Sequence, residues 1–281
     1  MSPSKAVQEK RRQRFRAWQD ERFPDAALDE KRAWHDAHKA EMARWRERRE
    51  QYESLPMEPL RVVLELAAPL VLYDHVYLEG MLAWVVVQEL TDGQGVEMPP
   101  RYTPLPLEAA GFYGSGGQLP LWKASILHPI GAIVTDNVFM HKRAPGAYQS
   151  KAGSINTSAG RWMDRRIPLP VTEAVAWESF CYGNAAEIER LLALISHVGK
   201  RRGSGFGEIR RRWVVSWEGG DVLVRDGRLA HAIPQEHAHD YGICDPPVLV
   251  GWTPPHWAPG LWSMGWPVGT VAEVDWYADA P

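Results

Sequence analysis

The chain has 281 residues, 45% of them apolar and 24% charged, with a formal net charge of −3. That is the make-up of a folded protein with one large core or two smaller ones, and it excludes a disordered chain. It also excludes nucleic-acid attraction through bulk charge, so any such partner would be held by local basic patches.

Residues 1–56 form a helical arm. Fourteen Lys and Arg stand against eleven Asp and Glu in residues 1–55, a local net charge of +3, and between Lys5 and Glu53 Pro24 is the only helix breaker. Two helices are predicted, over 5–22 and 25–52, with Asp25 as a cap for the second. Trp34, His38, Met42 and Trp45 recur on one face of that helix. Mixed charge signs suit a solvated helical hairpin docked by this face better than an RNA-binding arm.

Pro56 and Pro59 end the arm. Residues 60–66 (LRVVLEL) read as a strand and residues 77–90 (YLEGMLAWVVVQEL) as an apolar helix. The apolar run 60–72 contains Arg61, Glu65 and Pro69, and residues 1–20 lack the apolar stretch of a signal peptide, so neither a membrane span nor a leader is expected. Residues 91–120 read as a Gly- and Pro-rich loop, 122–134 as a strand, and 136–170 as a long hairpin or excursion. Residues 174–182 read as a further strand.

The clearest helix begins at Asn184, with Glu187 three residues on as in a capping box. Ile188, Leu191, Leu192 and Ile195 fall on one buried face. Gly199 is expected at C′, the glycine position just past the helix end. Residues 209–217 read as a strand with Trp213, Val215 and Trp217 on one face. The tail, 219–281, is rich in Trp, Pro and Gly, with short strands at 222–225 and 270–277 and a turn at Asp226-Gly227. The element order predicts an α+β fold, a ferredoxin-like or RRM-like βαββαβ domain over 57–218. The arm precedes it, the excursion interrupts it, and the tail follows it, packed on the domain.

The loop 199–207 (GKRRGSGFG) carries the chemistry. Glycines allow positive φ and close approach of a ligand, and successive N–H groups in such turns form an anion nest. Lys200, Arg201 and Arg202 lie within it, Arg210, Arg211 and Arg212 follow it, and Phe206 offers a face to a base. A dinucleotide fingerprint needs strand before glycines and helix after, the reverse of the order here. A Walker loop needs a GK[ST] ending that opens a helix, and none is present. An RNA-backbone cradle and a plain solvated turn are the readings left.

This helix-to-loop run, Gly199-Lys-Arg-Arg-Gly-Ser-Gly-Phe-Gly-Glu-Ile209, resembles the glycine-rich loop of the RAMP superfamily of CRISPR effector proteins. Tyr77-Leu-Glu-Gly-Met-Leu-Ala-Trp84 resembles the first helix of the same folds. The resemblance covers roughly residues 57–218 and is nearest to the Cas-five-type subunit of type IV effector complexes. It implies an RNA-binding subunit that caps the 5′ handle of a CRISPR RNA in the cytoplasm. It would contact a backbone-filament subunit and a large-type subunit, reach target DNA only indirectly, and use no cofactor and no membrane. The implied RNA contacts are the whole loop (Gly199, Lys200, Arg201, Arg202, Gly203, Ser204, Gly205, Phe206, Gly207) and Arg210. A thumb hairpin at 136–170 adds Lys142, Arg143, Tyr148, Lys151, Arg161, Arg165 and Arg166. The negative body charge departs from that pattern and limits how much surface can face RNA.

Catalysis is not expected, and the alternative is a metal-independent RNA-processing endonuclease of the same superfamily. His75, before the first helix and flanked by Tyr73 and Tyr77, and His141, in the thumb, would then supply the proton transfers. A third reading is a protein-interaction scaffold whose basic loop meets an acidic partner. No metal site is expected: His237, His239 and Cys244 lack a fourth ligand, and Cys181 and Cys244 show no CxxC spacing. Two cysteines also fit a reducing compartment better than a disulfide framework. The tail tryptophans Trp252, Trp257, Trp262 and Trp266 are expected in the core and at a subunit interface.

Overall fold

The computed structural model describes residues 28–72, 74–93, 102–114, 118–142 and 165–272. It comprises two units, Met1–Glu50 and Gln51–Pro281. In the first unit the described chain is helix α1, Leu28–Glu53, whose last three residues already belong to the second. Trp45 is buried and His38 and Met42 are half-buried, whereas Lys39 and Arg44 are exposed, which is the face the spacing predicts. The predicted helix at 5–22 and the side chain of Trp34 lie outside the described residues.

After the end of α1, the second unit continues with β1, Glu58–Leu66. Its side chains alternate, and Leu60, Val62 and Leu64 are all at most 1% exposed. Then come β2 (Leu70–Val71) and helix α2 (Leu78–Leu90). Residues 91–120 are not simply a loop: they hold β3 (Ala109–Tyr113), which pairs antiparallel with β4 (Leu119–Trp122). The strand predicted over 122–134 is likewise divided, into β4, β5 (His128–Ile130) and the start of β6 (Val134–Lys142). Residues 123–127 separate β4 from β5, and Gly131, at φ +81°, follows β5 and separates it from β6. Next are β7 (Arg165–Glu173), β8 (Ala176–Gly183), helix α3 (Ala185–Ala193) and β9 (Ile209–Ser216).

The main sheet has the order β5-β8-β1-β9, with every neighbour antiparallel. With α2 between β1 and β5 and α3 between β8 and β9, this is the ferredoxin-like βαββαβ arrangement. Helix α3 is capped as its sequence predicts: the Asn184 side chain accepts from the Glu187 N–H at 3.1 Å. Its buried face is Ile188, Leu191 and Leu192. Arg190 holds it to α2 through a bidentate pair with Glu89, and Tyr52 donates to Glu187 at 2.8 Å.

The excursion is a hairpin. Strands β6 and β7 pair from Val134↔Glu173 to Lys142↔Arg165, and β7 also pairs with β2. Residues 143–164 lie outside the described set, and with them Arg143, Tyr148, Lys151 and Arg161.

In the tail, β10 (Val224–Arg225) and β11 (Arg228–Leu229) form a hairpin turning at Asp226 and Gly227, with φ of 52° and 70°. Both residues at positive φ make this the turn type that suits strand twist. A three-stranded sheet follows, of β12 (Ile233–Pro234), β13 (Val248–Val250) and β14 (Ser263–Trp266), with β14 central. These elements build a second cluster of buried side chains around Trp252, Ile233 and Leu223, joined by Leu121 from β4. Of the predicted strand at 270–277, Val271 forms a bridge with Arg228, and residues 273–277 lie outside the described set.

Candidate nucleic-acid interface

Helix α3 ends at Ala193, and Leu194 caps it in the right-handed region. Gly199 is therefore not its C′ glycine; five further residues, including buried Ile195 and Val198, separate the two. Gly199 instead sits at φ +74° against β2, where an added Cβ would lie 2.5 Å from Leu70 Cδ1. At the far end Gly207, at φ +66°, passes so close to Val198 that a Cβ would lie 2.0 Å from its carbonyl oxygen. These two glycines are required by close approach of backbone to its neighbours. Gly203 and Gly205 have nothing within 4 Å of a built Cβ and face open space.

The loop is anchored to the β2 region at both ends. Lys200 N–H donates to Val71 O at 3.2 Å and Gly207 N–H to Pro69 O at 2.9 Å. Between the anchors, Arg202–Ser204 make one 3₁₀ turn, where Ser204 N–H donates to Arg201 O and Gly205 N–H to Arg202 O. Those four N–H groups are spent on carbonyls and are not open to an anion. Lys200, Arg201 and Arg202 are all exposed, and Phe206 is half-buried.

The second basic cluster does not act with the first as one patch. Arg212 Nη1 donates to Leu192 O at 2.7 Å and so completes the C-terminal end of α3. Arg210 pairs with Glu65 at 3.3 Å, and Arg211 lies 4.0 Å from the same carboxylate. Arg210 keeps 62% of its side chain exposed on β9.

Val71 links the loop to the hairpin. On one side it pairs with Val171 of β7, and on the other it bridges Lys200. The hairpin then rises from the loop's own anchor. On it, His141 pairs with Arg166 and Lys142 with Arg165, and the Arg166 guanidinium lies 3.7 Å from the centre of the Phe139 ring.

Beside the loop lies a cleft of about 630 Å³. Lys200 and Arg202 line one side, and His75 and Tyr77, leading into α2, line another. Arg202 lies 5.2 Å from the ring centre of Trp84, on α2. The tail closes the cleft with His256, Trp257 and Trp262. Trp257 is 70% and Trp262 42% exposed, while Trp252 and Trp266 are buried. The tryptophans expected together in core and interface thus divide: two fill the tail's core and two present aromatic surface to the cleft. His141 lies on the hairpin and is not among the cleft residues, so the two candidate histidines are not brought together.

Under the cleft is a buried charged cluster that the sequence does not announce. Glu79, with no exposed surface, receives His231 Nε2 at 2.6 Å and faces His256 Nε2 at 3.0 Å, both through Oε1. The other ring nitrogens meet carbonyls, His231 Nδ1 at Ala232 O (2.5 Å) and His256 Nδ1 at Gly251 O (2.9 Å). Each ring nitrogen of the two histidines therefore has an oxygen beside it. Burial alone would raise the Glu79 carboxyl, but the two histidines outweigh it and hold the group at about 2. Tyr77 stacks on His256 with ring centres 3.9 Å apart. Burial, then the charges of Glu79 and Asp74, push the Tyr77 hydroxyl upward, so it stays a neutral donor. The three residues come from α2 and from two tail loops, and their sequence separation hides them from any spacing argument.

His237, singled out with His239 and Cys244, instead shares a 2.6 Å hydrogen bond with the Tyr113 hydroxyl. Among the described residues no group of three or more His, Cys, Asp or Glu side chains is arranged to hold a metal ion. Among them, too, no helix is long and apolar enough to cross a membrane.

Fold and site together define a ferredoxin-like α+β protein with a basic glycine loop beside an aromatic cleft. No family model matches the chain, and no curated protein matches it. Among solved structures, it is similar to a chain of the "Cryo-EM structure of the Type III-B Cmr-beta bound to cognate target RNA". The identity is 15%, over 76% of this chain and 78% of that one, with a TM-score of 0.30. A likeness of that degree transfers no role to this chain.

Proposed function

We propose that this protein is the RNA-binding subunit of a CRISPR ribonucleoprotein effector complex, where it caps the 5′ handle of the CRISPR RNA. The observation that carries this reading is the double pairing of Val71. It sets the exposed cations of the loop and the basic β6–β7 hairpin on a common base. A single strand entering there meets Lys200, Arg201 and Arg202 on one side and Arg165 and Arg166 on the other. The sequence resemblance of the loop and of the first helix supplies the class of RNA. In such an assembly the partners are a backbone-filament subunit and a large-type subunit, with target DNA reached through the guide.

The test is the triple substitution Lys200→Ala, Arg201→Ala, Arg202→Ala in the complex-forming protein. RNA affinity should fall, and the slope of log affinity on log salt should flatten by about 0.7 for each phosphate that the loop no longer neutralises. Unchanged affinity and slope would remove the loop from the RNA site. Sequencing the RNA that co-purifies with the assembled partners tests the capping role, which requires a short species with a uniform 5′ end.

A second reading, an RNA-processing endonuclease, is favoured by one observation: His75 lines the same cleft as Lys200 and Arg202. A general base there would stand beside cations able to stabilise a phosphorane.

A further inference from the structure

We infer that the cleft beside the glycine loop is a slot for one unstacked nucleotide of a single-stranded RNA, with the base on the tail's tryptophans and its phosphate on Lys200 and Arg202. The inference rests on the RNA-binding reading of the loop and goes beyond it, because it assigns a base subsite to residues outside the loop.

Three observations carry it. The first is size: about 630 Å³ lies within the range of roughly 300–1,000 Å³ that holds a compact organic ligand. The second is wall chemistry. Trp257 and Trp262 are large rings, 70% and 42% exposed, that line the same cleft and so form one aromatic wall rather than scattered surface residues. Aromatic faces of this kind accept any base, because every base has a π-face. The third is charge. Lys200 and Arg202 line the cleft together with those rings, and Asp74 is the one acidic side chain among the described residues that line it. An apolar peptide would use the rings and make no use of the cations. A nucleotide uses both.

The wall is also set before a ligand arrives. Trp262 Nε1 donates to His256 O at 2.7 Å, His256 is held by Gly251 O and by Glu79, and Tyr77 stacks on its ring. A slot held by buried polar contacts does not have to order itself on binding.

The experiment compares three proteins: the unmodified chain, Trp257→Ala with Trp262→Ala, and the loop triple variant. Each is titrated with a single-stranded RNA, with the same RNA carrying one abasic position in turn along its length, and with a free nucleoside monophosphate. The tryptophan variant should bind the intact RNA about five- to 150-fold more weakly with an unchanged salt slope. One abasic position should cost the unmodified protein a similar factor and cost the tryptophan variant nothing further. Loss of free-nucleotide binding in the same variant would show that the slot takes a nucleotide without its strand. Binding by the unmodified protein of RNA alone would show that it needs the strand. If the tryptophan variant binds RNA as the unmodified chain does while the loop variant loses its salt slope, the base slot is overturned and the cradle stands. If the loop variant loses nothing, the underlying RNA reading fails instead.

Discussion

The carboxylate of Glu79 and the imidazole of His231, 152 positions apart in the chain, meet at 2.6 Å with neither side chain exposed. His256 approaches the same oxygen, so one buried anion holds two rings. Removing one partner of a buried ion pair strands the others in a medium that does not solvate them. Glu79→Gln should therefore lower unfolding free energy on the order of 3–5 kcal/mol, read by chemical denaturation. Its carboxyl is held at about 2 in the folded chain, against 4.5 for an ordinary glutamate. The stabilisation is thus complete above pH 4.5 and fades as pH falls from there toward 2. Glu79→Gln should lose that acid-dependent part of the stability curve.

His128 titrates in a higher window. It lies on β5 opposite Glu178, with Nε2 buried and without a hydrogen-bond partner among the described residues. Burial first, and then the Arg225 charge, push its pKa down from 6.5 to about 4. The unfolded chain takes up a proton that the folded ring refuses, so stability should fall as pH drops from 6.5 toward 4. Thermal unfolding of His128→Gln should be flatter across that interval, and an unaltered profile would show that the ring is protonated in the folded chain.

The loop glycines should behave oppositely. Gly207→Ala forces a Cβ into the Val198 carbonyl at a left-handed backbone position, and should cost more than about 1 kcal/mol of stability. Gly203→Ala meets open space and should stay within about 0.5 kcal/mol of the unmodified protein. Paired denaturation curves check this, and RNA affinity of Gly203→Ala then tests whether a ligand uses the open space.

His75→Ala separates binding from cleavage. Under the endonuclease reading it should abolish cutting of a repeat RNA and leave affinity within about twofold, since His75 contributes a proton transfer and not a phosphate contact. A gel assay of the unmodified protein comes first, and no cut product there ends that reading.

Much of the main sheet is legible in the residue order. Alternation in LRVVLEL, the cap at Asn184 and the turn at Asp226-Gly227 are local signals, fixed by backbone geometry within a few positions. The divided strand at 122–134 is not, because the apolar content of that stretch masks the breaks at residues 123–127 and at Gly131. The role expected of Gly199 fails for a related reason. A positive-φ glycine after a helix has the same signature whether it ends the helix or passes against a neighbouring strand.

The loop itself, with its cations and its order between helix and strand, is a contiguous run, and contiguity is what a chain of letters can display. Its surroundings are not contiguous. Val71 joins loop to hairpin through strand pairing. Trp257 and Trp262 reach the cleft from the tail, and Glu79 gathers two histidines from more than 150 positions away. Local periodicity carries no term for such meetings. They arise when the sheet order β5-β8-β1-β9 and the tail's second core are assembled, and burial then selects which polar groups must find one another.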